Sequence, residues 1–391
     1  MKPRGQRGKV LVAMSGGVDS SVAAALLVGA GYEVVGCFMR LGSPDEEPDR
    51  LALADGACDA GPSRPARGCC SVGDAQDARL VAAELGIPLY VVNFRREFGR
   101  IMDYFVAEHA AGRTPNPCIR CNDWLKFGRL HDYAQQVGAS YIASGHHARI
   151  VEDERGAELW RGVDEAKDQS YVLFGAPRDR LREMLLPVGE MTKPEVRARA
   201  EELGLQTFDK PDSQEICFVP DGDHVAFVER RAPGLAKAGA LVDTAGRRVG
   251  EHGGQHRFTI GQRRGVGVAL GRPLYVVEKD TSTNTVIVGG PGDLLVSSLA
   301  VAEANWLVEG LAGLPSAGGL RALVQHRAHG RPVGATVSVD SAPDRFSVEY
   351  DEPVTGVAPG QAVVCYDADE PRRALGGGWI ASTGGARTTA D

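Results

Sequence analysis

Nowhere does this chain hold the roughly 18 consecutive apolar residues that a membrane-spanning helix needs, so no membrane span is expected. Cysteine is scarce, with eight in 391 residues, which excludes a disulfide-stapled secreted scaffold and fits a reducing, cytoplasmic setting. An excess of positive charge is also missing. The net charge is −7, so attraction to a polyanion needs a local basic face. The arginines at 257, 263, 264, 321, 327 and 331, with histidines at 252, 256, 326 and 329, are the candidates for one. No internal repeat is evident. No secretory leader is expected, because the basic opening Met1–Lys9 runs straight into a strand and a loop that cleavage would destroy. What is present is ordinary for a globular protein, 43% hydrophobic and 24% charged, and the length predicts two or three domains.

The most informative stretch is Ser15-Gly16-Gly17-Val18-Asp19-Ser20-Ser21. The apolar run Val10–Met14 before it reads as a buried parallel strand, and Val22–Leu27 after it reads as a helix. A strand, a small-residue turn and a helix N-terminus present backbone N–H groups and a partial positive charge to an anion. Glycines at 16 and 17 let the backbone approach a phosphate closely. The lysine that a Walker A loop requires is absent. The string instead resembles the PP-loop of enzymes that split ATP between its α and β phosphates.

Strand and helix patterns alternate from residue 9 to about 220, predicting a parallel sheet with crossover helices. The stretch 41–68 reads as a long loop. Phe98, Ile101, Met102, Phe105, Val106 and His109 fall on one face of a helix. Thr192 and Glu195 form a capping box, with Pro194 in the first turn. Beyond about 221 the texture turns to glycines and short β-branched runs, among them Thr285–Val288, Thr336–Val339 and Ala362–Tyr366, as small β-barrels or sandwiches show. Gly289–Gly292 is a boundary between two of them. The small, polar end from 383 to 391 is expected to be disordered.

Asn116-Pro117-Cys118-Ile119-Arg120-Cys121 closes a proline-rich loop that feeds a helix expected to begin near Asn122. A thiol at a helix N-terminus is acidified by the dipole, which marks Cys121 as a nucleophile candidate. Structural zinc is disfavoured, because four ligands are needed and no second Cys-x-x-Cys occurs. By itself Cys217 reads as a buried strand cysteine, and Cys37, Cys58 and Cys365 carry no functional claim.

These segments in this order resemble the tRNA-specific 2-thiouridylases, bacterial enzymes that thiolate the wobble uridine of certain tRNAs. The resemblance runs from about Lys9 to Ile380. It rests on the loop at 14–21, Gly112–Pro117, Ser144-Gly145-His146, Lys167–Tyr171, Ser213–Phe218, Thr259–Arg263 and Pro359-Gly360-Gln361. It implies an α/β, Rossmann-like PP-loop parallel-sheet domain of the adenine nucleotide α-hydrolase type over 1–221. A central β-rich domain over 222–291 and a C-terminal tRNA-binding β-barrel over 292–382 follow. It implies ATP contacts from Ala13, Met14, Ser15, Gly16, Gly17, Val18, Asp19 and Ser20, together with Met39 and Gly145. It makes Cys121 the nucleophile and Cys217 the persulfide carrier. Asn116, Pro117 and Cys118 would lie near the target base, and His146, Lys167, Asp168, Gln169, Arg327, Ala328 and Gln361 would touch tRNA.

Three departures stand out. Cys118 occupies a position where many members carry Asp, the 41–71 segment is longer and carries Cys58, Cys69 and Cys70, and Ala328 is smaller than in many relatives. The implied reaction transfers AMP to the uracil C2 oxygen, with Mg²⁺ on the triphosphate and Asp19 an indirect partner of the metal. Sulfur then comes from a Cys217 persulfide charged by a donor protein, or from sulfide on an iron–sulfur cluster held by Cys118, Cys121 and Cys217; the sequence leaves both open. A monomer engaging one tRNA is the simplest expectation. Two other readings are a PP-loop enzyme that adenylates another substrate for amide formation, and a non-catalytic tRNA-binding protein; the β-rich domains and the two matched cysteines favour thiolation.

Overall fold

The computed structural model describes residues 7–42, 72–212, 216–219, 222–268, 271–311 and 319–385. Cys58, Cys69, Cys70 and residues 386–391 lie outside them.

Strand β1 (Lys9–Ala13) is at the centre of a parallel sheet. Its apolar residues alternate between two cores. Val10 and Val12 join one cluster with α1 (Val18–Gly29), and Leu11 and Ala13 join another on the opposite face. A strand covered on both faces must be apolar throughout, which is why Val10–Met14 reads as one unbroken run. On one side β1 pairs with β2 (Glu33–Arg40), which carries β3 (Leu89–Asn93) at the edge beyond α2 (Val72–Glu84). On the other side it pairs with β4 (Tyr141–Ala143). The strand order reverses at β1, so a crevice opens past its carboxyl end, the position at which open α/β sheets bind ligands.

Helix α3 (Arg95–Ala110) buries Phe98, Ile101, Met102 and Phe105 against the second core, as their spacing predicts. The next helix starts earlier than expected. Its first turn, α4 (Pro117–Arg120), has Pro117 at the first position, where the fixed φ is already helical and no N–H is wanted. It continues without a break into wide π turns over Cys121–Arg129 and then α5 (Leu130–Gln136). Cys118, not Cys121, therefore occupies the first turn, and the dipole argument for Cys121 does not hold.

A hairpin of β5 (Ala148–Asp153) and β6 (Gly156–Arg161) follows, then the short edge strand β7 (Met184–Leu185), parallel to β4. Helix α6 (Lys193–Glu202) is capped as predicted: Glu195 accepts from the Thr192 N–H at 2.7 Å. After α7 (His224–Arg231) comes a four-stranded sheet of β8 (Gly239–Asp243), β9 (Arg248–His252), β10 (Tyr275–Asp280) and β11 (Thr285–Gly289), with its own small core around Val276, Val286 and Val288.

The last six strands close a barrel in the order β12-β15-β14-β13-β16-β17. They are β12 (Val296–Trp306), β13 (Leu320–Gln325), β14 (Val333–Val339), β15 (Arg345–Val354), β16 (Ala362–Asp367) and β17 (Ala374–Gly385). Strand β17 reaches Gly385, so the first residues assigned to a disordered tail are paired strand. Along β16, Val363 and Cys365 fill the barrel, whereas Ala362, Val364 and Tyr366 point outward into the core of the sheet domain. Both faces of β16 are buried, and the barrel is welded to the domain that carries the nucleotide loop.

Candidate active site

The crevice at the end of β1 lies between the loop that follows this strand and the one that follows β4. Residues 14–17 lead into α1, whose cap residue is Gly17 with no side chain capping the exposed N–H groups. A buried helix start left without a protein partner is an anion site. Ser20 Oγ accepts from the Ser15 N–H at 3.2 Å and donates to the Gly17 carbonyl at 3.0 Å, which holds the loop in shape. Gly16 has φ +73°, and a Cβ there would collide with the Asp74 carbonyl oxygen. Gly145, after β4, presses on the first turn of α1: a Cβ would lie 2.5 Å from the Ser20 nitrogen. Met39 sits at the end of β2, beside β1. The loop 14–17, the first turn of α1 and Gly145 are thus brought together at the end of β1.

Asp19 is held by its neighbours. Lys193 Nζ donates to both carboxylate oxygens, at 2.7 and 2.8 Å, and His147 Nε2 stands 3.3 Å from one of them. Burial alone would raise the Asp19 pKa, but the bonds from His147 and Lys193 reverse this and hold it below the ordinary value. Both oxygens already accept from Lys193, so a Mg²⁺ ion bound through both of them would have to displace this lysine. Lys193 was not singled out from the sequence. A signal was there: a lysine at the first position of a helix opposes the dipole and needs a compensating carboxylate.

The same Lys193 Nζ lies 2.9 Å from Asp212 Oδ1. Asp212 also accepts from Lys167 and Arg197, each at 2.8 Å, and Lys167 and Lys193 outweigh burial to bring its pKa down to about 2. Two residues earlier Lys210 donates to the Gly16 carbonyl at 2.9 Å and to Asp74 at 2.6 Å.

Cys121 is half-buried at the start of the π turns, and Cys118 is exposed. Cys217 is in a turn and not, as its apolar neighbours suggested, in a strand; it is half-buried too. Its neighbour Phe218 packs edge-on against Phe98 and Phe105 of α3, with ring centroids 5.7 and 5.3 Å apart. The π turns pack on the same helix, and both Cys121 and Cys217 lie against the same core. Among the described residues no three His, Cys, Asp or Glu side chains converge to hold a metal ion. Cys37 and Cys365 are structural: burial pushes each thiol up to about 12.

Several residues expected at tRNA also make bonds within the protein. Asp168 accepts from Arg161 at 2.8 Å, from the Gly162 N–H and from Ser170. Gln169 accepts from the His147 N–H at 2.9 Å. Gln361 donates to the Thr114 carbonyl at 3.0 Å, and the Thr114 N–H donates to Pro359 at 2.8 Å, so the barrel grips the loop that leads to Asn116, Pro117 and Cys118. His146 is buried, which keeps its pKa well below the usual value, and its Nδ1 lies 2.6 Å from Ser144 Oγ. Of the expected basic face, Arg257 pairs with Glu229 and Arg321 with Asp351, while His252, His256 and His326 are buried. Arg263, Arg264, Arg327, His329 and Arg331 are exposed, and Ala328 packs against the main core.

The sequence itself matches characterised families along nearly its whole length. The tRNA-specific 2-thiouridylase MnmA of Rhodopirellula baltica is 48% identical over 390 residues, covering 95% of this chain and 96% of that one. The chain belongs to the tRNA-specific 2-thiouridylase family. The 2-thiouridylases of Carboxydothermus hydrogenoformans and Syntrophotalea carbinolica are 46% and 45% identical, each over 98% of its own length. Family models divide this 2-thiouridylase homologue into a tRNA methyl transferase HUP domain over 8–221, a tRNA methyl transferase PRC-barrel domain over 226–290 and an aminomethyltransferase beta-barrel domain over 296–380. The family is one of thiolation enzymes, and no described helix of this member is long and apolar enough to cross a membrane.

Proposed function

We propose that this protein converts a tRNA wobble uridine to 2-thiouridine, consuming ATP and releasing AMP and pyrophosphate. The observation that carries the reading is the uncapped start of α1 at the sheet's switch point, with Cys121 and Cys217 packed against the core on the opposite face of the same sheet. The loop 14–17, with Gly145 behind it, would hold the triphosphate. ATP supplies the adenylyl group that turns the C2 oxygen into a leaving group. The target base leaves its stack to reach the site, near Asn116–Cys118.

Cys217 carries sulfur as a persulfide received from a donor protein. The terminal sulfur attacks C2, and the C2–O bond breaks with the oxygen leaving in AMP. The Cys121 thiolate then attacks the Cys217 sulfur. The S–S bond to the transferred atom breaks, its electron pair stays on that atom, and 2-thiouridine is released. A Cys121–Cys217 disulfide remains, and a dithiol reductant resets it.

The test is to incubate tRNA, ATP and a persulfide-charged donor with the enzyme and measure 2-thiouridine by mass spectrometry of the nucleosides. Wild type is expected to form it with matching AMP, and Cys121→Ser and Cys217→Ser to form none. Thiouridine made at the wild-type rate by Cys217→Ser would overturn the persulfide route, and AMP formed with no thiouridine would point to an amide-forming ligase.

A further inference from the structure

One residue of the barrel leaves ordinary strand geometry. Within β12, Glu303 has φ +50°, a left-handed conformation that few residues other than glycine adopt. The register shows where it comes from. Ala302 faces Trp379 of β17 and Asn305 faces Gly377, so β12 carries one residue more than its partner. A bulge of this kind re-aims a side chain. Here the aim is across the boundary between domains: Glu303 Oε2 accepts from Arg120 Nη2 at 2.8 Å.

Arg120 directly precedes Cys121, at the junction where α4 gives way to the π turns. Its side chain is buried and surrounded by rings. Trp379 of β17, Trp124 of the π turns and Tyr104 of α3 have their ring centres 4.1, 5.0 and 5.2 Å from its guanidinium carbon. Asp123, also in the π turns, stands 3.9 Å away. The planar cation thus joins the barrel to the turns. Two costs are visible in this arrangement. Glu303 is held in a strained conformation, and Arg120 Nε is buried with no hydrogen-bond partner. Neither is needed to close a barrel or to cover a core, and such costs persist where a site needs the geometry. Wide π turns are rare and depend on their surroundings, which gives that geometry a use.

We propose that Glu303 and Arg120 are positioning residues for thiolation: through its bulge the barrel fixes the start of the π turns, and with it the direction of Cys121. Attack on a sulfur–sulfur bond needs the thiolate aligned with that bond, so a small rotation at the junction slows the step without weakening tRNA binding. The inference rests on the role given to Cys121 above.

The test assays the full-length enzyme for 2-thiouridine with tRNA, ATP and the persulfide-charged donor, and measures its melting temperature alongside. Glu303→Gly removes the carboxylate but relieves the left-handed strain. It is expected to melt no lower than wild type, to leave KM for tRNA unchanged and to lose kcat by roughly 10- to 100-fold, up to what an ångström of misplacement costs. Glu303→Gln keeps the length and an oxygen for Arg120, and is expected to restore most of the kcat. Arg120→Lys keeps the charge but cannot stack as the planar group does, and is expected to be as slow as Glu303→Gly. The double variant Glu303→Gly with Arg120→Lys is expected to be no slower than either alone, because the pair acts as one unit. Wild-type kcat in Glu303→Gly would overturn the proposal. So would a loss of kcat accompanied by an equal rise in KM and a lower melting temperature, or losses that multiply in the double variant. Cys121→Ser separates this inference from the reading beneath it. If that variant still thiolates, the role of Cys121 falls; if it is inactive while Glu303→Gly is fully active, only the positioning falls.

Discussion

Asp123, two residues beyond Cys121, shows how much one half-buried carboxylate can ask of a fold. Burial pushes its pKa up to about 6, more than nearby Arg120 pulls it down. A folded value above the unfolded one means that the folded state binds the proton more tightly. Its favourable contribution is complete below the unfolded value and is lost as pH rises through about 6. Asp123→Asn is therefore expected to stabilise the protein by roughly 2 kcal/mol at pH 8 and to give no advantage at pH 4, checked by thermal melts across that range. Asp19 gives the opposite case, a carboxylate kept charged by its cations. Asp19→Ala is expected to abolish thiolation while tRNA affinity, measured by filter binding, is retained; lost affinity would show that the loop serves tRNA instead. The residues that compose the loop were legible in the sequence because their string is local. Lys193, His147 and Asp212 were not, since each acts only through partners far along the chain.

The run from Pro117 to Arg129 shows the limit of periodicity at the scale of an element. A helix was readable there, but its start was read near Asn122, because the preceding prolines look like loop. Pro117 instead opens the helix. The π turns that follow leave a trace in Gly128: a Cβ there would stand 2.8 Å from the Asp123 carbonyl oxygen, five residues back. Gly128→Ala is expected to cost about 1–3 kcal/mol by overpacking, seen as a lower urea midpoint. It is also expected to reduce kcat for thiolation more than it raises KM, because the turns set the direction of Cys121. In the barrel, the β-branched runs were legible as strands, yet nothing local said that Tyr366 and Val364 face another domain.

At the scale of the whole molecule, the barrel and the sheet domain share one core. Trp379 and Tyr366 lie with Phe174 and Tyr171 in a single cluster, and Tyr171 Oη donates to the Ala362 carbonyl at 2.8 Å. Trp379→Ala is expected to cost about 3–5 kcal/mol and to shift the unfolding of both parts together in calorimetry, with no barrel transition splitting off. The turn Pro359-Gly360-Gln361 adds a second tie. Gly360 has φ +87°, and a side chain there would stand 2.7 Å from Arg113 Cβ. A module that clasps the approach to the thiols in this way is not interchangeable. A displacement of the barrel would carry the 112–116 stretch with it, so damage far out on the last strands is felt where the sulfur atoms lie.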